Sequence, residues 1–382
     1  MRDTLAEMPN GGMVVVCTDG GAGSSGKGSL NAWLADTYDF HVATNNFATN
    51  AGHFVQFDDG IRILNQHICS AFINKNTIIY INPGASIDLK TLFNEIKTIE
   101  GIGFNIKNRL FIHPNANVIT EEDKQKEKEI IKSGSTFKGC GAALARKTLR
   151  IPGMKLAKDY EELHPFIKDM TVELNTGLQR GMRILVEGSQ GMDLDINFAE
   201  FPHCTSRQTH PSQLIADAGL PPNSVTNVIV NLRPHPIRIN NQSAANPDEQ
   251  CYSGNYWGAN EITWQEIAAR GGYTWDEFLK KYEFALYTSV TKKVRRVFEF
   301  PVERMKTIHA MAGGLLPNSN LLYSLNFANF IDKDLAGTRS YSDIMKSERL
   351  NNWLHKNLYP VIGFNTLKWI RTGPHHSEIV EL

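Results

Sequence analysis

Residues 13–37 read MVVVCTDGGAGSSGKGSLNAWLADT, and this stretch decides what kind of fold follows. Met13 to Cys17 is an apolar, β-branched run of the kind that forms a buried strand. Leu30, Trp33 and Leu34 recur at helical spacing. A glycine-rich segment therefore joins a strand to a helix, the setting in which backbone N–H groups and a helix N-terminus converge on phosphate oxygens. Gly21, Gly26 and Lys27 match the first part of a phosphate-binding loop, where glycines permit the turn and lysine adds charge. The match then breaks, because Gly28 stands where the magnesium-binding Ser or Thr belongs and Ser29 comes one residue late. Taken alone, the stretch reads equally well as a phosphate site or as a glycine-rich turn with a chance lysine.

The alternation continues outward. RILNQHI (62–68), NTIIYINPG (76–84), RILVEGSQG (183–191) and SVTNVIVNL (224–232) read as strands. SIDLKTLFNEIKTIEGIG (86–103) reads as a helix with Leu89, Leu92, Phe93 and Ile96 on one apolar stripe. Strands alternating with helices predict an α/β fold with a central, mostly parallel sheet covered by helices. EEDKQKEKEIIK (121–132), with Glu122 and Lys126 four apart, reads as a solvated helix. With no internal repeat and no long Pro/Ser linker, residues 1–12 read as a polar leader and 13–382 as one elaborated domain.

Composition restricts the function classes. Forty basic residues balance forty acidic ones, so no global field favours nucleic acid or an acidic membrane, and any anion site must be local. The five scattered cysteines contain no CxxC, which argues against a disulfide framework or a structural zinc site and for the reducing cytoplasm. The N-terminus lacks an apolar signal core, and no run approaches the ~20 apolar residues of a membrane span.

Further polar segments follow in order: ATNAGH (48–53), GSTFKGCG (134–141), EGSQG (187–191) and RTGP (371–374), after GSSGKGS (23–29). Each alone is ordinary loop chemistry. Together, in this order and approximate spacing, they resemble the adenylosuccinate synthetase family, whose corresponding segments read GDEGKGK, GHNAGH, GTTGRGIGP, EGAQG and TGP. The resemblance runs from about residue 13 to the C-terminus and implies a P-loop-NTPase-like fold. It also implies a two-step ligase: a nucleoside triphosphate phosphorylates the 6-oxo group of a purine nucleotide, and the aspartate amine then displaces phosphate. By resemblance, Gly23, Ser25, Gly26, Lys27, Gly28 and Ser29 cradle the triphosphate, with Thr372, Gly373, Pro374 and Asn329 at its nucleoside end. Ser24, Asn50, Ala51, Thr136, Gln190 and Thr205 take the purine nucleotide, and Arg146 reaches its phosphate from the neighbouring subunit of a homodimer. His53, Lys27, Gln190 and Ser24 form the catalytic set, with Ser24 and Gly52 toward Mg2+. YTSVTKKVRRVFEF (287–300) resembles the aspartate loop, with Val290, Thr291, Arg295 and Arg296 chosen as its contacts, since a dicarboxylate calls for forked cations.

Two departures narrow the reading. Ser24 stands where the family has a loop aspartate that takes the N1 proton of hypoxanthine and helps hold magnesium. Bacteriophage members that use dGMP carry a small residue there, and serine both clears space for the guanine 2-amino group and can accept from it. Asn329, in LNFANFID (325–332), replaces the family aspartate that reads the guanine of GTP, which points to ATP or dATP as donor. The expected reaction joins L-aspartate to C6 of dGMP. The rivals are an ordinary synthetase using IMP and GTP, and a non-catalytic nucleotide-binding protein.

Overall fold

The computed structural model describes residues 4–130, 135–239, 253–288, 293–317 and 319–382. Nine strands build the central sheet, in chain order β1 (Met13–Asp19), β2 (Val42–Asn45), β3 (Ile78–Ile81), β4 (Leu110–Ile112), β5 (Arg183–Glu187), β6 (Asn227–Leu232), β7 (Leu321–Leu325), β8 (Leu367–Arg371) and β9 (Ile379–Glu381). Their spatial order is β9-β8-β7-β6-β1-β5-β2-β3-β4, and only β9 runs antiparallel to its neighbour. The sheet is therefore the mostly parallel one that the strand–helix alternation predicts. All seven residues of β1 are buried, as a strand covered on both faces requires.

Sheet order matters more to the site than length. β1 lies mid-sheet between β5 and β6, so successive connections leave it on opposite sides and open a crevice at the carboxyl ends of the strands. Register sets the ends level: Cys17 and Asn45 both face Glu187, Asp19 faces Asn231, and Leu232 faces Leu325. One apolar cluster packs α1 (Lys27–Thr37) and α2 (Leu89–Gly101) on one part of the sheet, with Leu30 and Leu34 fully buried. Asp88 caps α2 by accepting from Thr91 N–H at 2.9 Å.

Two expectations need correcting. RILNQHI does contain a strand, Arg62–Asn65, but it pairs antiparallel with His53–Gln56 in a hairpin outside the main sheet. The charged segment forms α3 (Glu121–Ile130), yet it is not solvated all round, because Asp123 and Glu127 are buried. Glu127 accepts from the backbone N–H groups of Gly139 (2.8 Å) and Gly141 (2.6 Å), at the N-terminus of α4 (Cys140–Thr148). A carboxylate at a helix N-terminus is a favourable ion–dipole arrangement, and periodicity of charge alone could not show it. Among the described residues, no helix is long and apolar enough to cross a membrane.

Candidate active site

The carboxyl ends of the parallel strands surround a cavity of about 1120 Å3. Its wall includes Gly23 to Ser29, Asn50 to His53, Thr136, Gln190, Thr205, Arg295, Asn329, Gly373 and Pro374, which come from eight separate stretches of the sequence.

The loop after β1 earns its glycines sterically. Gly26 has φ +85 and precedes α1, whose first-turn N–H groups are left without a side-chain cap. Gly28 is equally constrained: a Cβ there would lie 2.8 Å from the Phe54 carbonyl and 3.0 Å from the His53 Cβ. Where a Walker-type loop has its Ser or Thr, this chain needs the close approach of the strand carrying His53. The departure in the motif is therefore a packing requirement.

Lys27 is held from behind. Its Nζ donates to Asp19 Oδ2 at 3.0 Å and to the Gln190 carbonyl at 2.5 Å. Asp19, fully buried at the end of β1, also accepts from Gly21 N–H at 2.7 Å and from the Ser25 hydroxyl. Asp19 was not among the expected site residues, although it is the carboxylate nearest in sequence to the one the loop lacks. The Gln190 turn closes over the loop back to back, so that a Cβ at Gly191 would lie 2.1 Å from the Gly21 carbonyl oxygen. Gln190 itself adopts φ +59, and its buried Oε1 has no protein partner.

His53 is oriented by a residue that the motif contained but the reading did not single out. Its Nδ1 lies 2.6 Å from Glu187 Oε1, with both side chains buried. Glu187 is fixed in turn by Ser70 N–H (2.7 Å) and Ser70 Oγ (2.8 Å). A ring whose Nδ1 is tied to a carboxylate presents Nε2 in one orientation.

The electrostatics are one-sided. Among the described residues, Lys27, Arg62, Arg233, Arg238, Arg295 and Arg371 line the cavity, against one carboxylate, Glu127. Burial, then the charges of Arg233 and Arg62, pull the Arg295 guanidinium down to about 9. Burial brings Arg233 and Arg371 to about 10. All three stay charged at neutral pH, and among the described residues the Nε atoms of Arg233, Arg295 and Arg371 have no acceptor. A chain with no net charge thus concentrates cations and unspent donors in one cavity, the signature of a site for several anionic groups.

Some expected residues are elsewhere. Arg296 follows Arg295 in the strand Arg295–Phe298, and consecutive strand residues face opposite ways. Arg295 points into the cavity, donating to Ser24 Oγ (3.3 Å) and the Ala285 carbonyl (2.8 Å), whereas Arg296 forks onto Glu261 (2.5 and 3.0 Å) and Gly254 O (2.8 Å). Arg146 is bound within its own chain, to Asp123 through Nε (3.1 Å) and Nη2 (2.8 Å). Four residues on, Arg150 is exposed with φ +53, between the exposed apolar side chains of Leu149 and Ile151. Thr372 is buried behind the wall, its hydroxyl donating to Thr338 O at 2.7 Å, while Arg371 beside it lines the cavity. Val290 and Thr291 lie outside the described residues.

Magnesium must fit oxygen donors if it belongs here. Among the described residues there is no cluster of three or more His, Cys, Asp or Glu side chains able to hold a metal. Ser24 suits a cation poorly, since Arg295 aims a guanidinium at its hydroxyl. Gly52 lines the cavity and carries a carbonyl oxygen, so the donor set fits an ion that arrives on substrate phosphates, as Mg2+ commonly does.

A family model described as adenylosuccinate synthetase matches residues 16–159 and 153–239. The adenylosuccinate synthetase of Methanocaldococcus jannaschii is 28% identical over 381 residues, covering 97% of this chain and 98% of that protein. The N6-succino-2-amino-2'-deoxyadenylate synthase of Acinetobacter phage SH-Ab 15497 is 30% identical over 346 residues, 83% of this chain and 84% of its own. Among solved structures, the succinoaminodeoxyadenylate synthetase of cyanophage S-2L, bound to dGMP and dATP as an energy donor, superposes with a TM-score of 0.76 at 25% identity, covering 97% of this chain and 95% of that one.

Proposed function

Because this chain belongs to the adenylosuccinate synthetase family, a family of ligases that form a C–N bond, we propose that it joins L-aspartate to C6 of dGMP at the expense of ATP or dATP. The products are N6-succino-2-amino-2'-deoxyadenylate, the nucleoside diphosphate and phosphate. The observation that carries the purine choice is Ser24, a neutral hydroxyl at the cavity wall where the family has a carboxylate. The phage synthase and the cyanophage structure with dGMP support this reading.

An amide-like 6-oxo group leaves poorly, and phosphorylation makes it a good leaving group. Phosphoryl transfer depends on positioning and charge neutralisation, which suits this set of residues. The loop amides and Lys27 hold the triphosphate. Lys27 does so from a pre-set position, because Asp19 and the Gln190 carbonyl already orient its ammonium. His53 donates to the transferring group through Nε2 when its ring carries a proton on both nitrogens, with Nδ1–H staying on Glu187. Mg2+, carried on the phosphates, would offset their charge, with Gly52 as the chain's contribution. Arg295 receives a carboxylate of aspartate, and displacement at C6 releases phosphate while the amine sheds its proton. Asn50 and Thr205, 3.5 Å apart, and Thr136, all lining the same cavity, hold the purine nucleotide.

The donor base meets Asn329, whose backbone carbonyl is fixed by the Tyr273 hydroxyl at 2.9 Å. An amide lacks the charge that selects guanine, which favours adenine. In a homodimer, Arg146 reaches the partner's nucleotide phosphate, with Asp123 steadying its guanidinium at 2.8 Å.

The test is phosphate release with aspartate and Mg2+, crossing dGMP, GMP and IMP with ATP and GTP. Turnover with dGMP and ATP alone is expected. Preference for IMP and GTP would mean an ordinary synthetase that tolerates serine in its loop, and phosphate release indifferent to aspartate would remove the ligase reading.

A further inference from the structure

A dicarboxylate amino acid asks for two cations converging on one place, and Arg295 with Arg296 cannot supply them, since only Arg295 faces the cavity. A second arginine is already beside it. Arg62, from the strand Arg62–Asn65, places its guanidinium carbon 3.8 Å from the centre of the Phe54 ring and 4.6 Å from that of Phe284. Arg295 is anchored on the very next residue, through the Ala285 carbonyl at 2.8 Å. The two cations are thus fixed on adjacent residues of the 283–286 turn, one by a ring and one by a carbonyl.

Neither anchor carries charge. Among the described residues no carboxylate pairs with Arg62 or Arg295, and Arg295 keeps a buried Nε without an acceptor. Arg62 lies near enough for its charge to add, after burial and Arg233, to the lowering of Arg295. A guanidinium stacked on aromatic faces still has its edge N–H groups to offer, in the fork geometry that matches a carboxylate. The triphosphate side has other donors: the loop amides, Lys27 and Arg371, whose Nη1 would lie 2.9 Å from a Cβ at Gly26.

We propose that Arg62 is the second arm of amino-acid recognition: Arg295 takes one carboxylate of aspartate, and Arg62, clamped between Phe54 and Phe284, takes the other. The inference rests on the ligase reading. It makes selection of a dicarboxylate a property of the hairpin that also carries His53, since Gln56 pairs with Arg62 and His53 with Asn65. Aspartate bound at Arg62 therefore bears directly on the element that positions His53.

The test compares wild type, R62A and R62K in phosphate release. In R62A the KM for aspartate should rise about 10- to 100-fold, the value of a lost charge-assisted hydrogen bond, while the KM values for dGMP and ATP stay within about twofold. R62K should recover part of the loss, and inhibition by succinate, a dicarboxylate without the amine, should weaken in parallel with it. An unchanged KM for aspartate, or a rise confined to ATP, would overturn the inference. If wild type releases no phosphate in response to aspartate, the ligase reading fails by itself. Calorimetric binding of aspartate to wild type and R62A, with dGMP and a non-hydrolysable ATP analogue present, then decides the role of Arg62 separately, and equal affinities refute it.

Discussion

Replacing Glu187 by glutamine should reduce turnover while leaving the fold and substrate affinities nearly intact. The 2.6 Å contact between His53 Nδ1 and Glu187 Oε1 is buried on both sides, so solvent screens it little. A hydrogen bond to a charged group contributes ~1.5–3 kcal/mol and a neutral one ~0.5–1.5, so neutralising the acceptor forfeits about 1–2 kcal/mol of the force that holds the ring. If that force is expressed fully in the phosphoryl-transfer transition state, kcat falls about 5- to 30-fold. Glutamine keeps the size of the side chain and, with its oxygen turned to Nδ1, a neutral acceptor for the ring, at the cost of the bond from Ser70 N–H, now 2.7 Å from Oε2. The assay is phosphate release with dGMP, aspartate and ATP, with urea unfolding as a control on the fold. A double-mutant cycle sharpens it: once His53 is changed to Ala, adding E187Q should cost nothing further. A kcat within about twofold of wild type, or equal losses with and without His53, would refute the idea that Glu187 acts through the imidazole.

Three other outcomes follow from the site. S24D should move the ratio of kcat/KM for dGMP and IMP toward IMP, and should also raise the KM for aspartate, because the new carboxylate would pair with Arg295, now 3.3 Å from Ser24 Oγ; an unchanged ratio defeats the specificity argument. N329D should raise the use of GTP relative to ATP by about tenfold or more, measured with dGMP fixed and saturating, and a variant still indifferent to GTP would show that Asn329 does not read the donor base. At Asp88, burial raises the carboxyl, but bonds from Lys124 and Thr91 prevail and hold it at about 2, below its ordinary 3.8. That lowered value stabilises the fold above pH 3.8 and the benefit is lost as pH falls toward 2. D88A should therefore cost about 1 kcal/mol in denaturant unfolding at pH 7, a difference that shrinks below pH 4; a constant difference would exclude the ion pair as its source.

The sheet and its phosphate-type loop were legible in the sequence because glycine spacing and apolar periodicity encode backbone geometry directly. Lys27, His53, Asn50, Thr136, Gln190, Thr205 and Asn329, far apart in the chain, do share one cavity. What escaped was contact between side chains. Asp19 ends a strand like any other polar residue, and only the fold shows its carboxylate behind Lys27. Glu187 lay inside a quoted motif, yet its partner is 134 positions away. Arg296 was chosen as a neighbour of Arg295, and strand alternation sends neighbours apart. α3 looked solvated because opposite charges across two helices, Asp123 against Arg146, leave no periodic trace.

The crowd of arginines around the cavity has a thermodynamic corollary. Like charges held together work against folding, and Asp19 and Glu378 offset them only in part at Arg233 and Arg371, so the protein without ligands bears a strain that each bound anion relieves. A ligand present at a hundred times its dissociation constant adds ~2.7 kcal/mol to stability through binding alone, a sizeable share of the ~5–15 kcal/mol typical of a whole domain. The folded population, and with it exposure to proteolysis, is then tied to the supply of nucleotide and amino acid. Such a protein persists while its substrates do and becomes easiest to degrade when they run out.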